Sequence, residues 1–122
     1  MGPVVIMQPT ELSLFRYSAV TWNMHRVHYD AGWAAHEGHA GLLVHSHYHA
    51  AHSLRAVTEW LGSGWTLAGW EYRILHPAFA GSILRAQAAV SDLRTDVATL
   101  SVTEHDETDN ICLKGTATVR RV

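Results

Sequence analysis

The sequence predicts an α+β fold in which an antiparallel sheet wraps around one long central helix. Three observations carry this reading. The stretch HSHYHAAHSLRAVTEWLG (45–62) has a helical apolar stripe of Ala50, Ala51, Leu54, Val57, Trp60 and Leu61, closed by Gly62. After Gly64 the polarity alternates with period two in four successive runs. A short apolar run, PVVIM (3–7), precedes all of this and has strand character. A helix of about five turns has to bury its apolar face, and a sheet curled around it is the economical solution.

Each element has its own local reason. PTELSLFRYSAVTW (9–22) begins like a helix, with Thr10 able to cap it and Leu12, Phe15, Tyr17 and Val20 at near-helical spacing. The polar segment 23–41 is broken by Gly32, Gly38 and Gly41. In 65–76, Trp70, Tyr72 and Ile74 alternate with Glu71 and Arg73. In 82–94, Leu84, Ala86, Ala88 and Val90 alternate with Arg85, Gln87 and Ser91. Next, in 96–104, Ala98, Leu100 and Val102 alternate with Thr99, Ser101 and Thr103. Last, in 111–122, Ile111, Leu113, Ala117 and Val119 alternate with Lys114, Thr116, Thr118 and Arg120. HPAFAG, RTD and HDETDN supply the turns, so these runs read as a four-stranded antiparallel meander with one face wet or partly wet. No repeat or linker divides residues 1–122, which read as a single domain.

Composition narrows the classes of function. The chain is 48% hydrophobic and 16% charged, enough for one core and too little charge for disorder. A net charge of −2, without a basic cluster beyond Arg120-Arg121, makes nucleic acid an unexpected partner. No apolar stretch is long enough to cross a membrane, and the first residues lack a signal peptide's pattern, so a membrane partner is not expected. The one cysteine, Cys112, excludes an internal disulfide, fits a reducing, cytoplasmic setting, and reads as an inert strand residue.

Histidine is the anomaly: of ten, eight fall between His25 and His52. WNMHRVHYD (22–30) alone holds two histidines, an asparagine, an arginine and an aspartate. Such a cluster fits a metal site, an acid/base site or a solvated loop. On a helix His45, His49 and His52 would share a face, as three ligands of a catalytic zinc would, but no H-E-x-x-H or comparable signature occurs. No metal or other cofactor is therefore expected. The tryptophans read chiefly as packing residues, and Glu59 as a solvated helix position.

LFRYSAVTWNMHRVHYD (14–30) and EGHAGLLVHSHYHA (37–50) resemble the hot-dog-fold, MaoC-like (R)-specific enoyl-thioester hydratases and dehydratases. The resemblance is strongest to the branch of type 2 hydroxyacyl-thioester dehydratase and mesaconyl-CoA hydratase, with its pattern F-R-[FY]-S-A-x-T-[FW]-N-x-H-R-I-H-Y-D followed by E-G-[YH]-x-G-L-[VL]-V-H. It implies the hot-dog fold, a homodimer, and hydration of a 2-enoyl thioester of CoA or acyl carrier protein, or the reverse dehydration. The wider family uses an Asp-x4-His pair. His28 falls on its histidine and Asn23 on its aspartate, an amide that cannot accept a proton at neutral pH. His25 and Arg26 stand where that family has asparagine and proline, and Ser46 where it has glycine.

This chemistry needs a base, a proton donor and a group that tolerates enolate charge. His28 suits the first role, because its ordinary pKa lies near neutrality. Asn23 would orient water or bond His28, its alternative being a helix C-cap. Asp30 is a nearby carboxylate that, two residues past His28, would point away. Backbone donors around Gly41–Val44, ahead of the long helix, would hold the thioester carbonyl, so Gly41, Leu42, Val44, His45, Ser46 and Tyr48 are candidate substrate contacts. Tyr48 and Trp33 would line an acyl tunnel. Arg26 would meet a carboxylate or a pantetheine phosphate, or serve only as a structural ion pair. A thioesterase on the same scaffold and a non-catalytic acyl-thioester or small-ligand binder remain the alternatives.

Overall fold

A computed structural model describes residues 1–122. Nine segments follow one another: β1 (Val5–Met7), α1 (Glu11–Thr21), a single 3-10 turn (Arg26–His28), α2 (Ala31–His36), α3 (Ser46–Thr58), β2 (Trp65–Ile74), β3 (Leu84–Leu93), β4 (Val97–His105) and β5 (Ile111–Arg121). Thr10 caps α1 through a reciprocal pair with Ser13, as its place ahead of the apolar run requires. The polar segment 23–41 is more ordered than its composition suggests. Asp30 caps α2 by accepting from the Trp33 amide at 3.1 Å.

All strands join one antiparallel sheet in the order β1-β3-β4-β5-β2. The four long strands are therefore not a simple meander. Strands β3, β4 and β5 follow each other, but β2 pairs with β5, with Trp70 opposite Ala117 and Ile74 opposite Leu113. Alternation reports which face of a strand is apolar and not which edge it joins, so the long-range β2–β5 pairing left no local signal. β1 closes the other side, Val5 opposite Ala86. At Gly115 the Trp70 ring lies where a Cβ would have to stand, so only glycine fits beneath it.

Helix α3 lies against the concave face of the sheet. Its Ala56 and Val57 pack on Ala86, Ala88, Ala98, Leu100, Val102, Ala117 and Val119. Small side chains in the sheet let the helix approach closely. The helix stops at Thr58, short of the glycine that seemed to end it. Its buried stripe also differs from the expected one. Ala51 is exposed, whereas His49, His52 and Ser53 are buried with Ala50, Ala56 and Val57. The buried polar residues have a partner that sequence reasoning could not supply: Glu104 of β4, fully buried. A second core of Leu14, Val27, Ala34, Leu42, Val44, Ala78, Leu84 and Cys112 holds α1, α2 and the 3-10 turn against the N-terminal end of α3. This second core positions the site.

Candidate active site

The 3-10 turn presents His28 toward the start of α3. Its Nδ1 lies 2.7 Å from the Leu43 carbonyl oxygen. A carbonyl only accepts, so Nδ1 carries the proton and Nε2 keeps its lone pair in the neutral ring. Burial holds the pKa of His28 below its ordinary value, aided by His25 and His39 and opposed by the Leu43 hydrogen bond. The ring is thus a tautomer-fixed base. It lines a cleft of about 360 Å³ with Asn23, His25, Val27, His39, Leu43, Val44, Ser46 and His47.

Asn23 reaches this cleft because α1 ends abruptly. Trp22 adopts a left-handed conformation (φ 56°), unusual for so bulky a residue, and its amide and that of Asn23 both donate to the Ser18 carbonyl. Trp22, not Asn23, is the cap residue. The Asn23 side chain is left to the cleft, where Oδ1 accepts only a 3.4 Å bond from the His25 amide. It makes no hydrogen bond to His28.

The backbone donors lie one turn beyond the expected place. The Leu43 amide donates to Val27 and that of Val44 to Ala78, so neither is available. Ser46, His47 and Tyr48 supply the first amides of α3, and these make no hydrogen bond within the chain. Ser46 and His47 both line the cleft. Tyr72 of β2 steadies His47, its hydroxyl 2.8 Å from Nδ1.

The remaining predicted residues are dispersed around this centre. Val44 lines the cleft, Leu42 is buried in the second core, and Gly41 packs against Phe79. Arg26 pairs with Asp30 at 2.8 Å and lies 4.4 Å above the Trp33 ring, outside the cleft. Asp30 is thereby committed to a cap and an ion pair, and Trp33 to a platform. Tyr48 donates to Ser13 Oγ and lines a shallow groove with residues of α1. His45 is buried behind His28, with the two rings stacked at 3.7 Å.

The histidines of α3 do not converge as ligands. His49 and His52 both turn to Glu104, the latter at 2.6 Å. Burial alone would raise the Glu104 pKa, but the hydrogen bonds from His49 and His52 outweigh it and hold the carboxyl below its usual range. The potential metal-ligating atoms that do gather are those of His76, Asp106 and Cys112, within 4.8 Å of one another. There the Asp106 carboxylate is already taken by Thr108 and Asn110, and burial pushes the Cys112 thiol up to about 12. These groups are best read as a hairpin brace.

The whole chain superposes on the (R)-hydratase from A. caviae involved in PHA biosynthesis with a TM-score of 0.91, at 21% identity and covering 95% of that chain. An R-hydratase from Pseudomonas aeruginosa gives 0.90 at 20% identity, over 99% of this chain and 79% of the other. At such identities the likeness is one of fold, and that fold is the hot-dog fold of the hydratase and dehydratase class. A stretch of 38 residues, 30% of this chain, is 55% identical to mesaconyl-C(4)-CoA hydratase of Chloroflexus aurantiacus and takes in 14% of that protein's length. The family model for hydroxyacyl-thioester dehydratase type 2 matches residues 3–80, from before β1 to beyond β2. The chain belongs to the hydroxyacyl-thioester dehydratase type 2 family.

Proposed function

We propose that the protein hydrates a 2-enoyl thioester of CoA or acyl carrier protein to the 3-hydroxyacyl thioester, or catalyses the reverse dehydration. The observation that carries this reading is His28 held with Nδ1 on the Leu43 carbonyl, leaving a basic Nε2 in a cleft beside the free amides that open α3. In hydration, Nε2 takes a proton from water as its oxygen bonds to the β-carbon. The electron pair of the alkene moves toward the thioester, and the enolate oxygen is held by the amides of Ser46, His47 and Tyr48. The imidazolium then returns its proton to the α-carbon. Asn23 orients the water through its amide and takes no proton.

The same reading includes a homodimer. β2 is an edge strand of ten residues whose outer side pairs with nothing in the chain, and Trp70 Nε1 on it is buried without a partner. Pairing this edge with a second copy would cover the unpaired backbone. A cytoplasmic setting fits the single, buried, unpaired thiol.

Crotonyl-CoA, mesaconyl-CoA and a saturated acetyl thioester, assayed side by side, test the reaction. Loss of enoyl absorbance without free thiol is expected. Thiol release would assign a thioesterase, and binding without turnover a ligand carrier. Sedimentation at micromolar concentration should give twice the chain mass, and an active monomer would remove the dimer.

A further inference from the structure

His45 occupies the N-cap of α3 without capping it. Its imidazole turns inward, is buried, and stacks on His28 with centroids 3.7 Å apart and planes 16° from parallel. The edge of Tyr17 closes it from α1 at 4.8 Å. Nε2 lies 2.7 Å from the buried Ser18 hydroxyl, and Nδ1 is buried with no partner at all. An orphaned N–H is the costlier of the two unsatisfied states, so Nε2 carries the proton and donates to Ser18 while Nδ1 keeps a lone pair. Protonating Nδ1 would place both a charge and an unpaired donor in the interior. Burial accordingly brings the pKa of His45 down to about 4, with the neighbouring His28, His47 and His49 acting in the same direction.

A ring so placed has no polar atom to offer the cleft. We propose that His45 is a positioning residue for His28: a neutral stacked ring that fixes the direction of Nε2 and meets the transient imidazolium with π density on one face. The Leu43 hydrogen bond alone leaves the His28 plane free to swing, and the stack removes that freedom. A neutral aromatic face accommodates a cation against it, whereas a protonated His45 would repel it. The proposal rests on His28 being the base.

The titratable groups that face the pair are His25 and His39 beside His28, Tyr17 on α1, and His47, Tyr48 and His49 on α3. Glu37 is drawn off by His25 at 3.0 Å, and His49 by Glu104.

Hydration of crotonyl-CoA across pH 5–9 in three variants tests the idea. His45→Phe keeps the ring and loses the Ser18 bond. His45→Gln keeps a polar group for Ser18 and loses the ring, and His45→Ala loses both. Expected is a fall in kcat of about tenfold or more in the alanine and glutamine variants, with KM within about twofold. Their acid limb should move up toward the ordinary histidine value as water reaches His28. Phenylalanine should restore most of the rate and the original limb. If the alanine variant does not fold, the comparison of phenylalanine with glutamine decides. Glutamine equalling or exceeding phenylalanine overturns the proposal. So does a change confined to KM, which would make His45 a substrate contact. A fully active His28→Ala would remove the underlying base assignment instead, and is read separately.

Discussion

Two histidine clusters, one at the entry to α3 and one on its first turns, are built on opposite principles. Around His49 and His52 the network is closed. His52 directs Nδ1 at Glu104 and Nε2 at the Val5 carbonyl 2.9 Å away, and Ser53 adds a longer contact to the same carboxylate. Each ring nitrogen of His52 thus meets an oxygen, and the hydrogen bonds to Glu104 hold its carboxyl in the ionised form. Around His28 and His45 the network is open: one nitrogen of each ring is bonded, His28 Nε2 faces the cleft, and His45 Nδ1 faces nothing. A closed buried network resists change and ties elements together, here α3 to β1 and β4. An open one keeps a lone pair ready for a proton. Histidine count alone cannot separate the two, but the partners can.

The largest expected effect comes from removing the open cluster's base. His28→Ala should lower turnover by about 10²–10⁴-fold while the melting transition stays in place. In the unaltered protein the acid limb of the rate should lie below 6.5, the ordinary histidine value, because burial lowers the pKa of His28. Activity unaltered in the variant would erase the distinction between the clusters.

Breaking the closed cluster should do the reverse. Glu104→Gln replaces one carboxylate oxygen with an amide N–H set against a ring nitrogen in the core, a cost of about 1–3 kcal/mol. Denaturant melts should show it, while kcat per folded molecule stays near the original. A kinetic loss larger than the folded fraction explains would mean that the clusters are coupled.

Acid separates them by pH window. His45 is protonated more readily in the unfolded chain than in the folded one. Its contribution is therefore complete above pH 6.5 and is lost as pH falls from 6.5 to about 4, roughly 3 kcal/mol in all. Glu104, whose folded pKa is depressed, contributes fully above its ordinary value of 4.5 and loses its share only below that. Urea melts at pH 7, 5.5 and 4.5 should show the first decline above pH 4.5, and His45→Phe should shrink it to the part that His28, whose pKa is also lowered, contributes.

Smaller effects sharpen the boundary of the open cluster. Asn23→Ala should lower turnover about tenfold, and Asn23→Asp should retain activity, if the side chain orients water. A loss of about 1 kcal/mol in stability without a kinetic effect would make Asn23 structural. Arg26→Gln should cost at most about 1 kcal/mol, as exposed ion pairs do, and leave the KM for crotonyl-CoA unchanged. A raised KM would return Arg26 to the site.

The α+β class, the order of the strands and the two longer helices, and the family are legible along the chain, because apolar period and contiguous motif are local properties. Leu84, Ala86 and Ala88 alternate inward as written, and the WNMHRVHYD stretch names His28 without any fold. Which strand edges meet is settled by the fold, since β2 joins β5, with β3 and β4 lying between them in the chain, and alternation is blind to partners. The fold also settles which histidines are spoken for. Glu104 reads in sequence as one more polar strand residue, and nothing local announces that β4 carries it beneath α3 to meet His49 and His52. The same holds for the amides of Leu43 and Val44, which lie beside the motif yet are taken by Val27 and Ala78, so that the free donors begin at Ser46. Hydrogen bonds are settled by what the fold brings within 3 Å, and that is a property of the packed chain.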